Sequence, residues 1–233
     1  MKTIICNGVE FENIEAVIFD KDGTLANSHQ YLWHLGAKRA ELIDEIVPGL
    51  KSKVLAAFGC HDPAGLMAVG TREENINAIA SLIEDKNATS IVQSIFEDAD
   101  RQLPRKATLT PLYPGIVELL QSLKSLKLGI LSSDIEPNIR DFVEEYQLSN
   151  YFHAIIGAQS GISKPNPKLL FLICEKLNVE PKKALVIGDT IADTKLTPRS
   201  IGVTWGGSTI AQLVGAGAIA HHPSEIHLIS VSE

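Results

Sequence analysis

The chain has 233 residues, 45% of them hydrophobic, which suits one sizeable core or a core with a smaller domain. Its formal net charge is −7 and it carries no basic stripe, so nucleic acid is excluded as the expected partner. A small anionic substrate is not excluded, because local cations and a metal set the field inside a cleft.

The N-terminal run MKTIICNGVEF is too short and interrupted for a signal peptide, and no apolar run is long enough to span a bilayer. Cys6, Cys60 and Cys174 are isolated and odd in number. They fit neither a disulfide framework nor a metal motif, and read as reduced thiols of a cytoplasmic protein. Thr3–Cys6 and Val9–Phe11 flank Asn7-Gly8, a two-residue hairpin signal that predicts a β-ribbon over 1–13. Ala16–Phe19 is continuously apolar, as expected for a strand buried on both faces of a parallel sheet.

From Asn27 to about Lys106 the pattern is helical, and residues 27–106 are expected to form an inserted domain of about four helices. Ser28 is placed to cap a helix through Glu45. Thr71 with Glu74 forms a capping box for Glu73–Glu84. Ile91, Val92, Ile95, Phe96, Ala99 and Leu103 share one face at helical spacing. Beyond Leu112 helices and strands alternate. Pro114 starts a helix through Leu126, Lys127–Leu131 is a strand, and Pro137 opens the next helix. Phe152–Gly157 is a strand, Pro167–Leu177 a helix, and Ala184–Gly188 and Ile201–Trp205 are strands. Ser208 caps another helix and Ile219–Ala220 makes a last short strand. This alternation predicts an α/β fold, a doubly wound parallel sheet covered by helices and built from 1–26 and 107–233.

Three of the apolar strands run into polar residues: Asp20 and Asp22, Ser132, and Asp189. In open parallel sheets, ligands bind beyond the carboxyl ends of the strands, so these distant segments are expected to meet. On an extended backbone, Asp20 and Asp22 face one way and Lys21 the other. Lys164 adds a fixed positive charge, and the loop after Gly188 adds Asp189 and Asp193. Several carboxyl oxygens suit Mg²⁺. A lysine, a hydroxyl and loop amides suit a phosphate. A free carboxylate can attack phosphorus, and a second can move protons.

In chain order, Asp20-Lys-Asp22-Gly-Thr24, Ser132, Lys164-Pro165 and Gly188-Asp189-Thr-Ile-Ala-Asp193 resemble the four motifs of the haloacid dehalogenase-like hydrolases. The helical insertion is similar to the small cap of the phosphoglycolate phosphatase-like branch. The resemblance implies Asp20 as nucleophile and metal ligand, and Asp22 as general acid/base whose backbone carbonyl also meets the metal. It implies Ser132, helped by the Ser133 amide, on the phosphoryl oxygens, and Lys164 balancing the charge of Asp20 and phosphate. Asp189 would ligate Mg²⁺ and Asp193 would support that site. Gly23 and Thr24 would shape the hinge of the cap. An acid at Asp22 favours phosphatase over dehalogenase, because an oxygen leaving group needs a proton and a halide does not.

Arg72 reads equally as a contact to the non-phosphate end of a substrate or as a solvated first-turn residue. Lys38 and Arg39 are expected on a wet helix face. His29 and His34 are read as packing and surface, His221-His222 as structural, and Trp205 as core or rim. Mutase relatives use a histidine where spacing places Leu32, which weakens that alternative without removing it, since His29 or His34 could substitute. Asn27 replaces a frequent aspartate, and Lys21 replaces a usually apolar residue and needs water or an acidic partner. The expectation is a Mg²⁺-dependent phosphatase for a small phosphorylated metabolite, with phosphoglycolate the first substrate. The alternatives are a phosphosugar mutase or a non-catalytic phosphometabolite-binding protein. Monomer and homodimer are both open.

Overall fold

The computed structural model describes residues 2–60 and 65–230. The chain divides into two compact units, Met1–Asn27 with Pro111–Glu233, and Ser28–Thr110.

The first unit is built on a parallel sheet. Its strands are β3 (Ala16–Phe19), β4 (Lys127–Leu131), β5 (Phe152–Ile156), β6 (Ala184–Gly188), β7 (Ser200–Val203) and β8 (Ala218–Ala220), which follow β1 (Lys2–Cys6) and β2 (Val9–Phe11) in the chain. Their order across the sheet is β5-β4-β3-β6-β7-β8. All four residues of β3 and all five of β6 are buried, the pattern that coverage on both faces requires. Phe19 pairs in register with Ile130 on one side and Ile187 on the other. The chain therefore winds outward from β3 to β5, returns to β6 and winds the opposite way. The crevice of such a reversal lies outside the carboxyl end of β3.

The covering helices are α6 (Ile116–Ser122), α7 (Glu136–Glu145), α8 (Pro167–Leu177) and the short α9 (Ile191–Thr194). α8 presses Leu169, Leu170, Ile173 and Leu177 onto a cluster that includes Ile18, Leu131 and Val186. The helix after Pro114 starts only at Ile116, because Gly115 is left-handed (φ +86°), and it stops at Ser122, where Leu123–Leu126 tightens into a turn. Ser208 does not cap a helix. Thr209 does so through Gln212, and the segment is one 3₁₀ turn, Ile210–Leu213.

The hairpin at Asn7-Gly8 forms with both residues at positive φ (47° and 84°), as its two-residue turn demands. The ribbon has a third strand, from the far end of the chain. β9 (Ile226–Ser230) pairs antiparallel with β1, Ile4 opposite Leu228, and Ile4 and Cys6 are fully buried.

The second unit is helical: α1 (His29–Ile46), α2 (Lys51–Phe58), α3 (Leu66–Val69), α4 (Arg72–Ala80), α5 (Ala88–Gln102) and a 3₁₀ turn at Lys106–Leu109. Val92, Ile95, Phe96 and Ala99 of α5 are buried as their spacing predicts. They join Ile43, Val54, Phe58 and Ile79 in one core. The Thr71–Glu74 capping box is present. α4 nevertheless ends at Ala80 rather than Glu84, where Leu82 and Ile83 donate to Ile79 and Ala80 in tighter turns. Ser28 occupies the position before α1 without a side-chain cap bond. Arg39 is not on a wet face. It is 6% exposed, donates to Asp100 at 3.1 Å, and lies 3.9 Å from the centroid of Phe96. Cation–π stacking and a carboxylate make a buried guanidinium tolerable.

Candidate active site

Three strand ends build the site. The Asp20 amide still donates to Ile187 O at 2.9 Å, extending the β3–β6 ladder by one residue. The chain then leaves the sheet. Lys21 O accepts from the amides of Leu25 and Ala26, each at 2.9 Å, and the Gly23 amide donates to Ala26 O at 2.8 Å. Gly23 sits at φ +84°, and a Cβ there would stand 2.1 Å from Asp189 Oδ2. Only glycine meets both demands.

This turn corrects the extended-backbone reading, which holds only as far as Asp20. The Asp20, Asp189 and Asp193 carboxylates converge, each offering an oxygen within 4.8 Å of the others. Among the described residues the Asp22 carboxylate is not part of that group. It accepts from Lys21 Nζ at 2.8 Å. Lys21, expected to point elsewhere, is fully buried and also pairs with Asp134 at 3.1 Å.

Lys164 stands between two of the converging carboxylates. Its Nζ is 2.6 Å from Asp20 Oδ1 and 2.6 Å from Asp193 Oδ1, and its side chain is 7% exposed. Asp193 is oriented by its helix. As the third residue of the α9 capping box, its Oδ2 accepts from the Thr190 amide and hydroxyl, leaving Oδ1 for the lysine. Thr24 is fully buried, and its hydroxyl lies 3.4 Å from Asp189 Oδ1. Ser132 follows β4, with its amide donating to Ile156 O at 3.0 Å and its Oγ accepting from the Asp134 amide at 3.2 Å. Ser133 is exposed.

Burial dominates the electrostatics. It raises the Asp20 carboxyl from 3.8 to about 7, against the lowering effect of Lys164 and with Asp193 adding to the rise. It likewise raises Asp189 well above the usual carboxylate range, helped by Asp20 and Asp193. Burial disfavours the Lys164 ammonium, but Asp193 and Asp20 outweigh it and hold the group above the ordinary lysine value. Three buried carboxylates against one ammonium leave a formal charge of −2. An all-oxygen donor set of that charge fits a hard divalent cation.

Two contacts were not legible in the sequence. Trp205 Nε1 donates to Thr24 O at 2.9 Å, and a Cβ on Gly206 would stand 2.2 Å from Gly23 O; the segment after β7 thus backs the Gly23 turn. Among the described residues the buried Tyr113 hydroxyl has no hydrogen-bond partner. Burial, then Asp189 and Asp22, keep it protonated by raising its pKa. No motif marked Tyr113. Arg72 lies in the helical unit at the start of α4, where its guanidinium pairs with Asp100 at 2.6 Å.

The fold and site define an α/β protein with an acidic, lysine-braced cluster at the head of a parallel sheet. Residues 14–195 match the model of the haloacid dehalogenase-like hydrolases, and the chain belongs to that family. It is 30% identical over 203 residues to Phosphoglycolate phosphatase 1 of Pseudomonas aeruginosa, covering 80% of this chain and 66% of that one. It is 30% identical over 190 residues to Phosphoglycolate phosphatase of Aquifex aeolicus, covering 80% and 81%. A haloacid dehalogenase-like family hydrolase from Streptococcus pneumoniae superposes with a TM-score of 0.70 at 22% identity, over 92% of this chain and 97% of the other. Among the described residues no helix is long and apolar enough to cross a membrane.

Proposed function

We propose that this protein is a Mg²⁺-dependent phosphatase that hydrolyses a small phosphomonoester through an aspartyl-phosphate on Asp20. The observation that carries the reading is the Asp20–Lys164–Asp193–Asp189 cluster at the carboxyl end of the central strand. Asp20, Asp189 and the Asp22 carbonyl would hold the cation, with Asp193 supporting. Mg²⁺ bound there would neutralise charge on the phosphoryl oxygens and keep Asp20 ionised at neutral pH.

The chain's own groups divide the remaining work. The Asp20 carboxylate attacks phosphorus, forming the Asp20–O–P bond as the ester P–O bond breaks. Asp22 gives a proton to the leaving oxygen and afterwards takes one from the water that cleaves the acyl phosphate. Ser132 and the Ser133 amide donate to phosphoryl oxygens, and Lys164 adds a fixed positive charge. Phosphoryl transfer needs mainly such positioning and charge neutralisation. The names of the two relatives above favour phosphoglycolate or a similarly small carboxylated phosphoester as substrate. Arg72 is a candidate for its non-phosphate end, and a cytoplasmic setting suits the free thiols of Cys6, Cys60 and Cys174.

A panel of phosphorylated metabolites, ranked by kcat/KM with Mg²⁺ and again after chelation, tests the proposal. Phosphate release that needs the metal and falls at least about a thousandfold in Asp20→Asn is expected. Isomerised phosphosugar without free phosphate would replace it with the mutase reading. An unimpaired Asp20→Asn enzyme would remove the nucleophile assignment.

A further inference from the structure

Lys164 is not the only buried lysine at the head of β3. The Lys21 side chain is 1% exposed, its Nζ lies 2.8 Å from Asp22 Oδ1 and 3.1 Å from Asp134 Oδ2, and it sits 5.6 Å from the centroid of the Phe142 ring. Asp134 is itself firmly held. Its Oδ1 accepts from the Ile135 amide at 2.9 Å and from Asn138 Nδ2 at 2.8 Å, and its own amide donates to Ser132 Oγ at 3.2 Å. One ammonium therefore ties the carboxylate of the loop after β3 to the loop after β4 that carries Ser132. An ammonium this deeply buried is costly unless opposite charges surround it. An apolar residue would fill the same volume but leave Asp22 without that anchor.

We infer that Lys21 is a positioning residue for the Asp22 carboxylate, fixing it relative to the Ser132 loop so that its proton is delivered where the leaving oxygen lies. This rests on the reading of Asp22 as the acid–base group. Proton transfer demands hydrogen-bond reach and alignment, and a 1 Å misplacement is enough to cost on the order of a hundredfold. Lys21 touches no reacting atom in this scheme; it acts through Asp22.

A double-mutant cycle decides it. The kcat and KM for an alkyl phosphomonoester are measured with Mg²⁺ for the wild type, Lys21→Met, Asp22→Asn and the double variant, with Lys21→Arg as the charge-conserving control. The expected result is a fall in kcat of about tenfold or more for Lys21→Met, with KM within about threefold, partial recovery in Lys21→Arg, and a double variant no slower than Asp22→Asn. A double variant slower by the product of the two single losses would overturn the inference, since Lys21 would then act independently of Asp22. Should Lys21→Met fail to fold, the same cycle run with Asp134→Asn decides by the same criterion. No phosphate release by the wild type would overturn the phosphatase reading and this inference together. Wild-type turnover with a multiplicative cycle would overturn the inference alone.

Discussion

The metal-free protein should lose stability as pH rises through neutrality, and Mg²⁺ should restore it. Burial moves the Asp20 carboxyl from 3.8 to about 7. Between these values the folded protein holds a proton that the unfolded chain has released, so unfolding loses protons and stability falls with increasing pH. The slope approaches about 1.4 kcal/mol per pH unit for one group. From about pH 5.5 to 7, Asp20 alone then removes about 2 kcal/mol, or roughly 4–8 °C in Tm for a chain of this size. Asp189 is raised by the same cause and adds in the same direction. Bound Mg²⁺ competes with these protons, and at about one hundred times its Kd contributes about 2.7 kcal/mol. Its stabilisation should therefore be larger near pH 8 than near pH 5.5. Thermal unfolding across this range, with chelator and with Mg²⁺, measures both effects. Asp20→Asn should flatten the chelated curve and raise Tm at the alkaline end. A chelated Tm that climbs from about pH 5.5 to 7.5, with an equal climb in Asp20→Asn, would refute the assignment of a buried, proton-retaining Asp20.

Two further substitutions probe the same site. Gly23→Ala forces a Cβ to within 2.1 Å of Asp189 Oδ2 at φ +84°. It should cost about 1–3 kcal/mol in stability and about tenfold or more in Mg²⁺ affinity by titration calorimetry, and unchanged affinity would show that Asp189 is not held by this turn. Tyr113→Phe removes a buried hydroxyl that has no hydrogen-bond partner among the described residues, so the metal-free variant should be no less stable than the wild type. A loss above about 1 kcal/mol in chemical denaturation would show that the hydroxyl is satisfied in the folded protein.

Much of the sheet was legible because its signals are local. Lys127–Leu131, Pro167–Leu177 and Ala184–Gly188 have the bounds read from their apolar runs and flanking proline or glycine. The convergence of Asp20 and Asp189 was also legible, since a parallel sheet brings its strand ends together whatever the loops do. What misled was residue type taken without its neighbours. Arg39 looked like a wet-face residue until Asp100 and Phe96, far along the chain, supplied its partners. β9 carries no turn or pairing signal of its own. Its partner β1 lies more than two hundred residues earlier, and only closure of the ribbon selects the pairing.

The sequence by itself determined the strand periodicity, the helical insertion and the identity of the acidic and basic groups at the strand ends, because these depend on side-chain pattern and covalent order. The tertiary structure alone decided which carboxylate each lysine meets. Asp20 and Asp22 differ by two positions, yet the turn at Gly23 sends one to Lys164 and the other to Lys21. The physical reason is that a buried charge takes its place from whatever opposite charge the folded chain brings within a few ångströms, and sequence spacing does not specify that distance once the backbone leaves the sheet.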